Sequence, residues 1–245
     1  MDVKFFLDAM SAVGLPVLIL DEERRDQMIP QPLRYLIGFD GCPSAANRYN
    51  TEVPFDCDTC ADPLSTIAYC NLLDENYSDG QYSYRPYLNQ EGTAEEYDEG
   101  VIDPNGSGWM RNVNDQLHRR SASGFKILEW DNCDSYATRD VLEVYDYCAQ
   151  QGFKIVAKNP AICDNMEKLV EHSAVEGMII ERGAGRPASI DRLRKVAGKP
   201  ALPCWFVFFG RSRTLADAVA HQCDDFDNMW ASYSTKGEYA SSIAL

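Results

Sequence analysis

Short apolar runs closed by turn or polar residues recur along the chain. Residues 16–20 end in Asp21, residues 35–39 in Asp40-Gly41, and residues 66–70 in Asn71. Residues 84–88 lead into residues 89–92, with Pro86 making this run the least regular. Residues 125–128 run into Glu129-Trp130-Asp131-Asn132, and residues 153–157 into Lys158-Asn159-Pro160. Residues 178–180 end in Glu181-Arg182-Gly183 and residues 204–209 in Gly210-Arg211. Most of these eight candidate strands are continuously apolar, as parallel strands covered on both faces should be. Helical spacing fills several gaps. It predicts helices over residues 113–120, 138–151, 164–172, 189–197 and 215–230. Val141, Val144, Tyr145 and Cys148 form the stripe of the second, and Gly152 is its stop. Asp164 and Ser189 are the expected N-caps of the third and fourth, and Gly198 the stop of the fourth. Strand followed by helix, repeated, reads as α/β. Eight strands in 245 residues predict a single (β/α)8 TIM barrel over residues 1–245, with a doubly wound open sheet as the runner-up.

Two stretches break the rhythm. Residues 42–64 are rich in Pro, Asp and Cys and read as a long loop. Residues 74–108 read as a second, carrying nine acidic side chains against the single Arg85. This stretch also holds Tyr77, Tyr82, Tyr84, Tyr87 and Tyr97, with Trp109 just beyond it. Long loops in a compact domain are commonly functional. Acidic and aromatic groups together suit a sugar, which has polar edges and apolar faces; the alternative is a solvated loop pinned by its aromatics.

Composition narrows the partners. Hydrophobic residues make up 45% and the net charge is −15. That charge argues against a nucleic-acid partner, which needs a basic surface, and fits a neutral or cationic ligand as readily as simple solubility. No apolar stretch is long enough to span a membrane. Residues 1–8 lack the pattern of a secretory signal. Of the nine cysteines, Cys42, Cys57, Cys60 and Cys70 lie close in sequence. Zinc, disulfides and free thiols all remain open for them.

The strand ends carry the candidate chemistry. Alternation puts Glu129 and Asp131 on one face of their strand and Trp130 on the other. A closed barrel would gather Asp21, Asp40, Glu91, Glu129, Asp131 and Glu181 on one rim, with Lys158 and Arg211 as compensating cations. Crowded carboxylates raise one another's pKa, so one can stay protonated while another is charged. Glycosidic bond cleavage needs such a pair. A divalent cation or plain helix capping are the competing uses of the same groups. No Gly-x-Ser-x-Gly elbow is present, and Cys133 has no histidine nearby in sequence to activate it.

Residues 124–136, Gly-Phe-Lys-Ile-Leu-Glu-Trp-Asp-Asn-Cys-Asp-Ser-Tyr, resemble the Gly-Phe-Asp-Gly-x-Glu-x-Asp-Asn-x-Asp-x-Tyr signature of glycoside hydrolase family 114. These are endo-α-1,4-polygalactosaminidases and related TIM-barrel proteins. Residues 156–159 resemble the family's Leu-Lys-Asn strand end, and residues 179–181 the strand bearing its second acidic residue. Residues 87–95 more loosely resemble its Tyr-x-x-x-Gly-Glu-Ala-Glu segment. The resemblance implies Asp131 and Glu181 as the catalytic pair, shaped by Glu129, Asn132, Asp134, Lys158 and Asn159. It implies a polysaccharide or oligosaccharide substrate and neither cofactor nor metal. Asp21, Asp40, Glu91, Trp109 and Arg211 complete the expected sugar-binding set. A non-catalytic carbohydrate-binding or interaction protein on the same barrel is the second reading, and a metal-dependent hydrolase the third.

Overall fold

The computed structural model describes residues 20–21, 36–38, 66–74, 80–87, 99–160, 166–181, 185–209, 213–234 and 241–244. Its main element is a nine-stranded sheet. In chain order the strands are β1 (Leu20–Asp21), β2 (Leu36–Gly38), β3 (Thr66–Asn71), β6 (Ile127–Asp131), β7 (Lys154–Lys158), β8 (Val175–Glu181), β9 (Cys204–Phe209), β10 (Met229–Ser234) and β11 (Ser241–Ala244). The short strands β4 (Ser83–Pro86) and β5 (Gly100–Ile102) pair only with each other. From β2 through β3, β6, β7, β8 and β9 to β10, every neighbouring pair is parallel. β11 returns antiparallel between β10 and β1. Sequential parallel order with helical crossovers is the pattern of a barrel wall. Among the described residues, β1 and β2 end the order on opposite sides without pairing to each other.

The helices are α1 (Ser107–Ala122), α2 (Thr138–Gln150), α3 (Met166–Glu171), α4 (Pro187–Val196) and α5 (Arg213–Cys223). α2 buries the predicted stripe, Val141, Val144, Tyr145 and Cys148, and ends before Gly152, whose φ of 81° suits glycine. α4 starts two residues before Ser189. Its N-cap is Arg186 and Pro187 opens the helix, because a proline there forfeits no hydrogen bond. Asp164 lies outside the described residues.

Three expectations are corrected. The expected fourth barrel strand is the exposed hairpin strand β4, and Pro86, which has no amide hydrogen to give, is its last residue. The expected helix over 215–230 stops at Cys223. The chain then turns through Asn228 at φ 56° into β10, which takes the remaining place in the parallel order. The stretch 74–108 is only partly loop, since it holds the hairpin and the start of α1; residues 42–64 lie outside the described residues. Asp74 anchors the hairpin. Its backbone exchanges two 2.8 Å bonds with Gly100, and its carboxylate accepts from the amides of Tyr82 and Ser83.

Both sheet faces are buried. On the outer face, Ala68, Cys70, Leu128, Trp130, Ala157 and Phe206 join the apolar stripes of the helices in one core. On the inner face, Val156, Ile179, Trp205 and Val207 are buried apart from that cluster. Gly177 makes room there: a Cβ on it would lie 2.9 Å from Cζ3 of Trp205. Cys70, Cys133, Cys148, Cys204 and Cys223 are buried and, among the described residues, enter no disulfide. Cys42, Cys57 and Cys60 lie outside the described residues. No helix among the described residues is long and apolar enough to cross a membrane.

Candidate active site

Because β3, β6, β7 and β8 are parallel neighbours, their C-terminal ends lie along one edge, where α/β folds place their chemistry. β6 extends farther than the apolar run predicts and ends at Asp131. Glu129 and Asp131 therefore belong to a strand and share its inner face, while Trp130 turns to the helix-side core. Register aligns Tyr69 with Glu129 and Asn71 with Asp131. It sets Lys158 beside Ile179, two residues before Glu181.

The Lys158 ammonium is the hub. Its Nζ lies 2.8 Å from Oδ2 of Asp131, 3.2 Å from Oε1 of Glu129 and 3.3 Å from Oε1 of Glu181. It also sits 5.3 Å from the centre of the Tyr69 ring, whose negative face favours a cation. Three carboxylates around one ammonium would carry a net charge of −2 if all were ionised. In a buried setting such an excess drives proton uptake. Burial, reinforced by Asp131 and Glu181 and opposed by Lys158, pushes Glu129 up to about 7. Burial and the charge of Asp131 also raise Glu181, against the pull of Lys158 and Asn159. Burial alone would make Lys158 lose its proton, but Asp131, Glu181 and Glu129 together outweigh it and hold the ammonium charged.

Solvent access divides the carboxylates. The side chains of Asp131 and Glu181 are 22% and 15% exposed, whereas those of Glu129 and Lys158 are 1% and 3% exposed. Only the first two can meet a ligand from solution. Asp131 accepts from three donors: Lys158, the Tyr69 hydroxyl at 3.1 Å, and the Asn132 amide at 2.8 Å. Glu181 is gripped by Asn159. The Asn159 side-chain amide donates to Oε2 at 3.1 Å, and its carbonyl accepts the Glu181 backbone N–H at 2.8 Å.

Asn132 and Asn159 each follow a strand end with positive φ, 59° and 46°. Asparagine tolerates this left-handed region better than most residues. The turn bends the chain off the strand while the amide reaches back into the site. Asn132 donates to Asn71 at 2.8 Å, and Asn71 donates to Glu99 at 2.9 Å, which ties the hairpin to the floor of the site. Gln116 of α1 closes the network on the backbone of Asn71.

The structure thus brings together Glu129, Asp131, Asn132, Lys158, Asn159 and Glu181. Asp134 is exposed on the 3-10 turn Cys133–Ser135 that follows. Trp109 is corrected: 1% exposed and tilted at 49° against the Tyr136 ring with centroids 4.7 Å apart, it belongs to the core and presents no face to a sugar. Asp21 ends β1 at one end of the sheet order; Asp40, Glu91 and Arg211 lie outside the described residues. Tyr69, Asn71 and Glu99 were not anticipated. The signal for the first two was strand alternation ending at Asn71, which becomes informative only once β3 is known to pair with β6. Among the described residues, no group of His, Cys, Asp or Glu is arranged to hold a metal ion. An ammonium fills the centre of the carboxylate cluster.

No protein-family model matches the chain, and no curated protein matches it. Solved structures do. Ega3 of Aspergillus fumigatus, in complex with galactosamine, superposes with a TM-score of 0.52 at 11% identity, covering 74% of this chain and 78% of that one. The glycoside hydrolase domain of PelA from Pseudomonas aeruginosa superposes with a TM-score of 0.50 at 13% identity, covering 83% of this chain and 94% of that one. A variant of that domain gives 0.51. At such identities the likeness is one of fold: the chain shares the mostly parallel α/β architecture of these proteins.

Proposed function

We propose that the chain is a glycoside hydrolase that cleaves an α-linked, amino-sugar-containing polysaccharide with Asp131 and Glu181. The observation that carries this reading is the juxtaposition of these two solvent-reaching carboxyls on the ends of β6 and β8, the parallel strands on either side of β7, around one ammonium. Their surroundings differ. Asp131, with three donors, is suited to be the charged partner. Glu181, raised by burial and by Asp131, is suited to be the proton donor.

Both groups present an oxygen to the same nitrogen, at 2.8 and 3.3 Å, which leaves these two atoms no more than about 6 Å apart and lets Asp131 serve as the nucleophile of a retaining mechanism. In the double displacement this supports, Asp131 attacks the anomeric carbon as Glu181 gives its proton to the leaving glycosidic oxygen. Glu181, now charged, then takes a proton from water. That water breaks the Asp131 ester and restores both groups. The resemblance of residues 124–136 and the fold shared with a glycoside hydrolase domain support the reaction class. The galactosamine bound by Ega3 and the net charge of −15 support a cationic sugar as substrate.

The test is hydrolysis of α-1,4-linked oligogalactosamine, followed by mass spectrometry. Shortened products are expected from the wild type, with kcat lower by about 10²–10⁴ in Glu181→Gln and a comparable loss in Asp131→Asn. Full activity in both variants would remove these residues from the reaction. Retention of an uncleaved oligosaccharide by the wild type would make the chain a binding protein.

A further inference from the structure

The double displacement uses Asp131 and Glu181 and leaves Glu129 without a task. Its position is costly. The side chain is 1% exposed, and Oε1, though 3.2 Å from Lys158 Nζ, makes no aligned hydrogen bond among the described residues. A buried carboxyl so poorly satisfied destabilises the fold unless it is neutral or paired. A leucine would fill this position at less cost, so its contribution is sought in the charges around it.

Among the described residues, Lys158 is the group in ion-pair contact with all three carboxyls. During turnover the negative charge moves. It starts on Asp131, disappears there when the ester forms, and appears on Glu181 when the proton leaves. One ammonium within 3.3 Å of both can serve each in turn without moving far, provided something holds it between them. Glu129 lies beneath on the same strand face as Asp131. It is faced by Tyr69 from β3, Lys158 from β7 and Glu181 from β8. We propose that Glu129, out of reach of any ligand, is a positioning residue for the Asp131–Glu181 pair: it holds the ammonium between the two carboxyls and keeps Glu181 in its proton-bearing form. The proposal rests on the reading of Asp131 and Glu181 as the catalytic pair. The pH behaviour follows from the shift of Glu129 to about 7. Below neutrality it is neutral and Gln is a close mimic. Above neutrality its charge opposes ionisation of Glu181, and Gln cannot replace it.

The experiment is a titration of the whole chain labelled with carbon-13 at the glutamate carboxyls, followed by NMR without substrate. Glu181→Gln and Glu129→Gln identify the two resonances. In Glu129→Gln the part of the Glu181 titration that lies above neutrality, where Glu129 is charged in the wild type, is expected to move down by about one pH unit, the scale of a strongly coupled pair. The alkaline limb of kcat/KM should move to lower pH by the same amount, while the acid limb and KM stay in place. Glu129→Asp, which keeps the charge, should recover part of the shift. An unmoved Glu181 midpoint in folded Glu129→Gln overturns the proposal. Should that variant fail to fold, the wild type decides: Glu129 and Glu181 resonances that each titrate in one independent step overturn it, and mutually coupled steps support it. A wild type that hydrolyses no glycoside while its Glu181 midpoint still responds to Glu129 counts against the hydrolase reading and for the coupling.

Discussion

Replacing Glu129 by Gln should make the protein more stable at slightly alkaline pH and leave it unchanged in acid. The carboxyl and the amide have nearly the same shape, so the substitution removes a charge and little else. In the folded chain Glu129 titrates at about 7 instead of its ordinary 4.5, chiefly because of burial. At about 1.4 kcal/mol per pH unit, that rise amounts to about 3 kcal/mol. The sign follows from proton counting. Between the two values the folded state keeps a proton that the unfolded state has released, so stability falls as pH rises through that window. Below about 4.5 both states are protonated and Glu129 costs nothing. Above about 7 the full penalty is present, and the amide escapes it. The charges of Lys158, Asp131 and Glu181 act on Glu129 through this net shift, which already contains them. Urea unfolding at pH values from about 4.5 to 8 should give equal stabilities at the acid end. At the alkaline end the variant should lead by about 3 kcal/mol, or roughly 6–12 °C in Tm for a chain of this size. A difference that does not change with pH, or a variant less stable at pH 8, would refute the assignment of this buried proton to Glu129.

Gly177→Ala should lower Tm by about 2–8 °C, as expected for about 1–2 kcal/mol of overpacking. The added methyl would meet Cζ3 of the fully buried Trp205 at 2.9 Å with Val156 behind it at 3.5 Å, and an unchanged melting curve would show that the ring yields freely. Asn159→Gly keeps the backbone at φ 46° comfortable but removes both side-chain bonds to Glu181. Its kcat on oligogalactosamine should fall about tenfold or more while Tm changes little, and unchanged kcat would mean that Glu181 needs no such grip.

What the sequence made legible was the part of the site carried by consecutive strands. Residues 125–131, 153–159 and 178–181 combine an apolar run with a polar end. Parallel neighbours place such ends side by side whatever the helices between them do. Glu129, Asp131, Lys158, Asn159 and Glu181 therefore emerged together. Tyr69 and Asn71 stayed hidden because their partner strand begins at Ile127, beyond the hairpin and α1. Periodicity reports which way a side chain faces, not which strand lies beside it. Trp109 misled for a related reason: an aromatic residue next to an acidic stretch looks like a ligand contact until the first turn of α1 carries it into the core. β10 was read as helix because Met229, Trp230, Ala231 and Tyr233 give an apolar spacing that suits either element. The left-handed turn at Asn228, which separates it from α5, is not visible as a helix stop.

The five buried thiols give the molecule a chemical record of its own opening. Thiolate is the reactive form of cysteine, and burial pushes Cys148 and Cys223 up to about 12 and Cys204 higher still. At neutral pH these three thiols are therefore almost wholly protonated. An alkylating reagent can reach them only when a helix lifts from the sheet. The thiols fall into separate neighbourhoods: Cys148 on α2 lies close enough to Cys70 on β3 to feel its charge, and Cys204 on β9 stands in the same relation to Cys223 on α5. Modification of the first pair would time the detachment of α2, and modification of the second that of α5. One chain thus carries two internal clocks on opposite flanks of its sheet.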